Sequence, residues 1–348
     1  MSKCMKKYGI FVIVFILLLC CACSDQTIIV SAQWGFLNYG QSIKGTKGVK
    51  GIDINILDAW KITQGSSDIV VGVLDSGVQI ESDFIKENIF INSKEIPGNG
   101  KDDDNNGFVD DINGWNFYNN DNKIYDNYLH DYHGTYICSL IASNKHGTMV
   151  GVAPNVKVMP LKFISGSKGQ MDSVTNAIDY AYMMGVRIFN CSWDGTEFDA
   201  SLKNTMEKYS DALFVCSGGK MMNDLEVRPV YPACYALPNV IAVMAIDNKG
   251  EIYEFSGYGS KADVAAPGVD IYGIMPDGDF TFASGTSSAT AIVTGIAALV
   301  KSYRPTLDIN NLVKILKEGT KPLNSLQGKV ASNGIIDAYQ CLKLADEY

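Results

Sequence analysis

The chain has 348 residues, a formal net charge of −9 and a hydrophobic content of 47%. One large sheet-centred α/β domain is compatible with this length, and the apolar content is ample for its core. The negative charge argues against nucleic acid as a partner, because binding to phosphates needs a basic face. Part of the acidity lies between Asp102 and Asp111, which indicates an ion site more than a global property.

Residues 1–23 have the organisation of a targeting signal and are excluded from the fold. A basic start precedes an apolar run from Gly9 to Leu19, which is shorter than the roughly 20 residues of a membrane span. The following segment, residues 19–25, resembles a bacterial lipoprotein signal. We expect lipidation of Cys23 and a lipid-anchored, extracytoplasmic protein at the cell membrane. Cys21 is an alternative acceptor, and ordinary cleavage with secretion, or an uncleaved anchor, is the alternative to lipidation.

Residues 24–50 form a short linker, rich in Gly, Lys and Ser, before a domain at 51–348. If Cys23 is acylated, an odd number of cysteines remains in the domain, which excludes a complete internal disulfide framework. Apolar sequence contexts indicate that these cysteines are small buried hydrophobic residues.

Apolar runs alternate with helical patterns through the domain. The predicted strands are 68–74, 156–163, 186–191, 212–216 and 240–245, and the predicted helices are 173–184 and 201–209. Continuous apolar runs are typical of strands covered on both faces. The alternation therefore predicts an α/β fold with three layers, in which a mainly parallel central sheet has helices on both faces.

Within the acidic stretch, oxygen-bearing side chains alternate around a glycine turn at Asp102, Asp104, Asn106 and Asp110. Hard cations bind loops of this kind. The pattern resembles half of an EF-hand loop in which Asn113 stands in place of the terminal glutamate. We expect structural Ca²⁺ here, and the alternative is a solvated acidic turn.

Three short segments supply an acid, a base and a hydroxyl nucleophile, in the order 75–77, 133–135 and 285–289. A serine hydroxyl is a poor nucleophile at neutral pH, so an imidazole must take its proton and a carboxylate must orient that imidazole. Asp75 follows an apolar run, which predicts a position at the carboxyl end of a central strand, where ligands collect in open α/β sheets. Asp-Ser-Gly also favours a plain turn by itself.

His-Gly-Thr occurs twice, at His133 and at His146. His133 precedes a helical apolar pattern, so we place it at a helix start on the active edge of the sheet and choose it as the base. His146 falls in a loop and is predicted to be a surface residue. Ser287 opens a predicted helix, and a helix N-terminus offers N–H groups and a partial positive charge to a developing oxyanion.

These segments resemble the subtilisin-like serine peptidases, the subtilases, whose acid, base and serine have the same chain order. Further stretches match in family order: residues 69–74, 151–154, 231–233 and 263–268. The resemblance implies a three-layer subtilisin-like fold and a serine endopeptidase that cuts peptide or protein substrates through an acyl-enzyme. It assigns catalysis to Asp75, His133 and Ser287, since Ser288 fills a position often held by methionine. It also leaves no room for the folded propeptide of many relatives, so we expect folding without an internal chaperone or with help in trans.

The chain departs from the family pattern at the oxyanion hole, where Gly219 replaces the usual asparagine. Removing that side chain costs on the order of 10² to 10³ in turnover, a magnitude known from subtilisin itself. Three explanations compete: Lys220 or Ser217 supplies the donor, the enzyme is a slow specialist, or the protein is a degenerate peptide-binding relative. Tyr136 in place of a second histidine, and Ala291 in place of a proline, are further departures.

By the same resemblance, an extended peptide would pair with strand edges at 164–166 and 192–195. The candidate substrate-binding residues are Gly166, Ser192, Trp193 and Asp194. Asp194 would attract a basic residue before the scissile bond, whereas Lys220 would favour an acidic one, so the preference stays open. The sequence predicts a surface-tethered endopeptidase, in a narrower version one that removes leader peptides. The alternative is a catalytically weak pseudoprotease that acts as a peptide-binding or regulatory protein.

Overall fold

The computed structural model describes residues 32–144, 149–166 and 168–348. The predicted lipidation site Cys23, the rest of the targeting signal and His146 lie outside these ranges. Within them, no helix combines the length and the apolar character that crossing a bilayer requires.

A nine-stranded sheet forms the centre of the described chain, and three two-stranded sheets lie outside it. The strands are β1 (Ser42–Ile43), β2 (Thr46–Lys47), β3 (Val70–Asp75), β4 (Trp115–Asn116), β5 (Lys157–Lys162), β6 (Ile164–Ser165), β7 (Lys168–Gly169), β8 (Ile188–Cys191), β9 (Leu213–Ser217), β10 (Val240–Ile246), β11 (Val264–Pro267), β12 (Ile271–Ile274), β13 (Phe280–Ala283), β14 (Thr320–Pro322) and β15 (Gly334–Ile336). The large sheet has the spatial order β14-β15-β11-β10-β9-β8-β3-β5-β4. Its neighbouring strands are parallel, except that β14 and β15 are antiparallel.

Helices cover both faces of this sheet. They are α1 (Ile56–Ala59), α2 (Tyr128–Ala142), α3 (Met171–Met183), α4 (Ala200–Lys208), α5 (Thr286–Tyr303), α6 (Ile309–Glu318) and α7 (Ala338–Leu344), with 3₁₀ turns at Lys86–Asn88, Pro276–Gly278, Asn324–Leu326 and Ala345–Glu347. Helices α2, α5 and α7 form one layer, in which α2 packs on β3 and β5 and α5 packs on β8 to β11. Helices α3 and α4 pack together on the other side, with α3 against β3 and β5. The predicted three-layer α/β fold with a mainly parallel sheet is confirmed.

The described part of the linker belongs to the domain core. Trp34, Phe36 and Ile43 are buried, and the Gln33 amide exchanges two hydrogen bonds with the backbone of Val150. Apolar burial of this kind fixes the chain to the domain from about residue 33 onward.

The sheet positions the site because parallel strands end at a common edge. Strand β3 ends at Asp75, its neighbour β8 ends at Cys191, and β9 ends at Ser217. The loops that follow these strands therefore converge at one edge of the sheet. Helix α5 begins beside them, since Ser287 exchanges hydrogen bonds with Ser192.

Candidate active site

Asp75 and His133 form a direct acid–base pair. The Nδ1 atom of His133 lies 2.8 Å from Oδ1 and 3.0 Å from Oδ2 of Asp75, and Oδ1 also accepts the Ser76 N–H at 2.7 Å. Asp75 is 1% exposed, whereas the histidine ring reaches an open cleft. The carboxylate therefore fixes the tautomer in which Nδ1 carries the proton, and Nε2 is left as the basic atom.

Two opposing effects set the pKa of His133. Burial alone would lower this pKa, but the negative charge of Asp75 and the hydrogen bond to it outweigh burial and raise the pKa above its usual value. A carboxylate at hydrogen-bond distance favours the imidazolium that forms when the ring takes a proton. The pair is thus electrostatically suited to act as a general base.

Helix α2 begins earlier than the sequence predicts. The prediction placed His133 at a helix start, but the helix begins at Tyr128, where the Asn127 side chain accepts the N–H of His130. His133 therefore lies in the second turn, and its ring depends on how α2 packs. That packing is close, because a Cβ on Gly134 would approach the carbonyl oxygens of Ser76 and Gly77 to 2.6 Å.

A buried ion-pair network beneath this contact was missed by sequence reasoning. Lys162, which pairs with Asp75 across β3 and β5, donates to Asp126 at 2.6 Å and lies 2.9 Å from Asp131. Asp131 also accepts the N–H of Gly77 at 3.0 Å. Burial by itself raises the pKa of Asp126, but hydrogen bonds from Lys162 and Lys123 outweigh it and lower that pKa. The network ties β5, α2 and the Asp75 turn together.

Ser287 lies in the first turn of α5, on the same cleft as His133. Its Oγ donates to the carbonyl oxygen of Ser192 at 2.8 Å, and the Ser192 hydroxyl donates to the Ser287 carbonyl at 3.0 Å. Helix α5 runs without interruption to Tyr303 and buries Ala291, so the missing proline leaves the helix intact.

The loop after β9 is shaped around a residue without a side chain. Gly219 has φ +91°, and a Cβ there would lie 3.2 and 3.3 Å from the two methyl groups of Val230. The Gly219 carbonyl accepts the Thr286 hydroxyl at 2.8 Å, and Ser217 Oγ is 2.7 Å from that hydroxyl oxygen. The Ser217 hydroxyl is therefore occupied, whereas Lys220 is exposed and lines the cleft.

The cleft has a volume of about 700 Å³ and contains the four predicted substrate residues, Gly166, Ser192, Trp193 and Asp194, together with His133 and Ser287. Part of its wall is aromatic, because the rings of Phe198, Tyr231 and Tyr235 pack on one another. Burial raises the pKa of Asp194, and the positive charge of Lys220 partly offsets this effect. Asp194 and Lys220, which would favour substrates of opposite charge, therefore line the same cleft.

The acidic loop arranges its carboxylates differently from the predicted spacing. Oxygens of Glu95, Asp104 and Asp111 lie within 4.8 Å of one another, and the Asn106 amide donates to Asp111 at 2.9 Å. The carboxylates of Asp102 and Asp110 are turned to the loop itself, where each accepts two backbone N–H groups.

The predicted set therefore separates into two. Asp104 is a member of the buried cluster and Asn106 donates to it, whereas Asp102 and Asp110 lie outside it. The cluster is itself tied to the loop, because Glu95 accepts three backbone N–H groups of residues 103–110. Glu95 lies before the motif and Asp111 just after the last predicted ligand. The burial of both side chains was the property that residue spacing did not show.

The described cysteines are free thiols, and all but the half-buried Cys234 are fully buried. Burial raises the pKa of Cys138, Cys216 and Cys341. These thiols are therefore inert packing groups at neutral pH.

Comparison with known proteins gives the class of this fold and site. Residues 66–331 match the model of the Subtilase family. Subtilisin-like protease 1 of Plasmodium berghei (strain Anka) is 33% identical over 321 residues, which are 85% of this chain and 53% of that protein. Thermitase of Thermoactinomyces vulgaris is 29% identical over 289 residues, which are 82% of this chain and 92% of that protein.

Solved structures agree on the fold. The structure of the prenylagaramide maturation protease PagA matches with a TM-score of 0.66 and 23% identity, and covers 84% of this chain and 98% of that one. The chain belongs to the subtilase family, the subtilisin-like serine peptidases. It spans about half the length of the Plasmodium relative.

Proposed function

We propose that the protein is a serine endopeptidase in which Asp75, His133 and Ser287 form the catalytic triad. The observation that carries this proposal is the 2.8 Å contact between His133 and Asp75 at the cleft that also holds Ser287. Family membership supports the same chemistry.

The reaction begins when the Ser287 hydroxyl turns from the Ser192 carbonyl towards His133 Nε2. As Oγ attacks the peptide carbonyl carbon, the imidazole takes the hydroxyl proton and Asp75 stabilises the resulting cation. The imidazolium then protonates the leaving amine, the C–N bond breaks, and an acyl-enzyme on Ser287 remains. Water, deprotonated by the same imidazole, hydrolyses the ester and restores the serine.

The developing oxyanion has fewer fixed donors than in typical relatives. The first turn of a helix leaves backbone N–H groups without helical acceptors, so Ser287 can offer its own N–H. Gly219 has no side chain, and the Ser217 hydroxyl is bonded to Thr286. Lys220 is then the side chain left to replace the asparagine donor, and an exposed lysine is less preorganised than an asparagine amide. A slow enzyme follows from this arrangement.

A restricted processing role, such as removal of a leader peptide, is the narrower proposal. The weakened oxyanion site supports it, and the fold neighbour PagA is a maturation protease. We further propose that Cys23 carries a lipid that holds the domain outside the cytoplasm at the membrane, with secretion as the alternative. Mass spectrometry of the N-terminal peptide from membrane fractions tests the anchor, and an unmodified, soluble mature protein would contradict it.

Labelling with a fluorophosphonate probe tests the enzyme against a peptide-binding pseudoprotease. The wild type should form one covalent adduct, and Ser287→Ala should form none. Ser288→Ala is the matched control, since it removes the adjacent hydroxyl and should still be labelled fully at saturation. A folded wild type that stays unlabelled would leave the peptide-binding pseudoprotease as the function.

We also propose that the acidic cluster binds structural Ca²⁺. The donor set fits, because Glu95, Asp104 and Asp111 bring oxygen ligands together and hard cations prefer carboxylates. Bound metal would stabilise the fold by about 2.7 kcal/mol at a hundredfold excess over Kd, which is roughly 4 °C in Tm for a domain of this size. EDTA should lower Tm by about this amount in the wild type and have no effect on Asp111→Asn. An unchanged wild-type Tm would refute the site.

A further inference from the structure

Tyr136 and Ser288, two residues at which the chain departs from the family pattern, are in direct contact. The Tyr136 hydroxyl lies 3.0 Å from Ser288 Oγ and donates to the Ile271 carbonyl oxygen at 3.0 Å. One hydroxyl proton cannot serve both partners, so the Ser288 hydroxyl donates to Tyr136. The result is a short chain of hydrogen bonds from α5 through α2 to β12.

The contact is fully enclosed by the protein. Tyr136 is 3% exposed and Ser288 is 2% exposed. Burial raises the pKa of Tyr136, so the hydroxyl stays protonated and remains a donor at any working pH. Because a buried hydroxyl without a partner is costly, each of these groups depends on the other.

The surrounding chain is shaped for this tyrosine. A Cβ on Gly273 of β12 would lie 2.4 Å from the Tyr136 ring, so only glycine leaves room for it. One turn further along α2, the Ser139 hydroxyl donates to the Tyr136 carbonyl at 2.7 Å and accepts the N–H of Ile274 at 3.0 Å. Helix α2 is thus fixed against β12 at two successive turns.

The position of this bond matters for the proposed chemistry. Tyr136 follows His133 by one helical turn, and Ser288 is the neighbour of Ser287 in the first turn of α5. The hydrogen bond therefore joins the helix of the base to the helix of the nucleophile, close to both. Reaction rates fall steeply when a base and a nucleophile are displaced by about 1 Å.

We infer that Tyr136 and Ser288 are positioning residues, which set the distance between His133 and Ser287 through their mutual hydrogen bond. This inference rests on the proposed peptidase function. The two hydroxyl groups do not contact substrate. Loss of their hydrogen bond should therefore lower kcat and leave KM unchanged, because substrate binding uses other walls of the cleft.

The test is a double-mutant cycle of Tyr136→Phe and Ser288→Ala, with kcat, KM and the rate of fluorophosphonate labelling measured on a peptide-cleaving wild type. Each single variant should lose roughly 5-fold in kcat and in labelling rate at unchanged KM, which corresponds to about 1 kcal/mol for one hydrogen bond. The double variant should lose no more than either single one. Tyr209→Phe, which removes a tyrosine hydroxyl bonded to Asp179 far from the cleft, should keep full kcat.

The possible results distinguish failure of the peptidase proposal from failure of the positioning role. A wild type that is neither labelled nor active overturns the peptidase proposal and this inference with it. An active wild type whose Tyr136→Phe variant loses Tm but no kcat overturns the positioning role alone, as do losses that multiply in the double variant. Ser288→Ala removes a single oxygen atom and answers the question even where Tyr136→Phe fails to fold.

Discussion

Lys162 is a buried cation that connects strand β5 to helix α2 beside the proposed acid, Asp75. Its side chain and that of Asp131 are both 0% exposed, and its amine also bonds the 21% exposed Asp126. Replacement by methionine keeps the apolar stem and removes the charge, so the Asp131 carboxylate remains buried without its cation. Breaking a buried ion pair in this way costs about 3–5 kcal/mol.

For a domain of this size, that cost corresponds to a fall in Tm of roughly 5–7 °C for Lys162→Met, measured by calorimetry or circular dichroism. Lys157→Met is the matched control, because Lys157 lies on the same strand β5 but bonds a carbonyl at the surface, and its Tm should change by about 1 °C or less. The reasoning is refuted if Lys162→Met changes Tm no more than the Lys157→Met control.

The charges around the cleft set three more expectations. Asp75 raises the pKa of His133 above its usual 6.5, so the acid limb of kcat/KM should have its midpoint above pH 6.5. Asp75→Asn should move this midpoint to lower pH and reduce kcat by roughly 10⁴. A wild-type midpoint below pH 6.5 would contradict the coupling between Asp75 and His133. Lys220→Met should lower kcat roughly 10-fold or more at unchanged KM while Lys220→Arg keeps most of it, and equal kcat in all three proteins would exclude Lys220 as oxyanion donor. In a peptide library, Asp194→Asn should reduce cleavage after basic residues, and Lys220→Met should reduce cleavage after acidic residues. If neither variant changes the cleavage profile, neither charge contacts the residue before the scissile bond.

The sequence predicted the fold well because its strands are continuous apolar runs. All five predicted strands, and the two helices predicted at 173–184 and 201–209, are present with ends displaced by at most two residues. A continuous run of apolar residues indicates a strand that is buried on both faces of a parallel sheet, and such a run can be read directly from the sequence. The start of α2 was misjudged by five residues, because the apolar residues of its first turn are exposed and do not continue the buried face, and its cap is a single asparagine side chain.

What the sequence could not predict depends on register and burial. Lys162 and Asp131 meet only because β5 pairs with β3 at Asp75 and α2 lies above that edge. In the acidic loop, residue spacing identified the carboxylates but not which of them would accept backbone N–H groups of the loop instead of facing a cation. Short aspartate side chains often bond nearby backbone in this way. Asp102 and Asp110 do so. The buried Glu95, which lies outside the pattern, also accepts three backbone N–H groups of the loop.

The departures from the family pattern occur in matched sets, and this bears on whether the site is active. Gly219 has a left-handed backbone, and Val230 fills the space a side chain would need. Tyr136 finds its hydroxyl partner in Ser288, another departure from the pattern. A decaying site accumulates unpaired polar groups and cavities, because nothing maintains the fit of its neighbours.

Gly219 and Tyr136 are thus each packed or hydrogen-bonded by a residue that fits them. The acid, the base and the hydroxyl are retained on the same cleft. This combination argues for a site rebuilt around a smaller oxyanion hole, and against a pseudoprotease that has lost its chemistry. It also predicts how the site could be strengthened: Gly219→Asn alone should reduce stability against Val230 and gain little kcat. In a combined Gly219→Asn and Val230→Ala variant the valine methyls no longer oppose the new side chain, although the φ of +91° still strains an asparagine there. Its kcat should exceed that of Gly219→Asn at a Tm below that of the wild type, and equal kcat in the two variants would contradict this account.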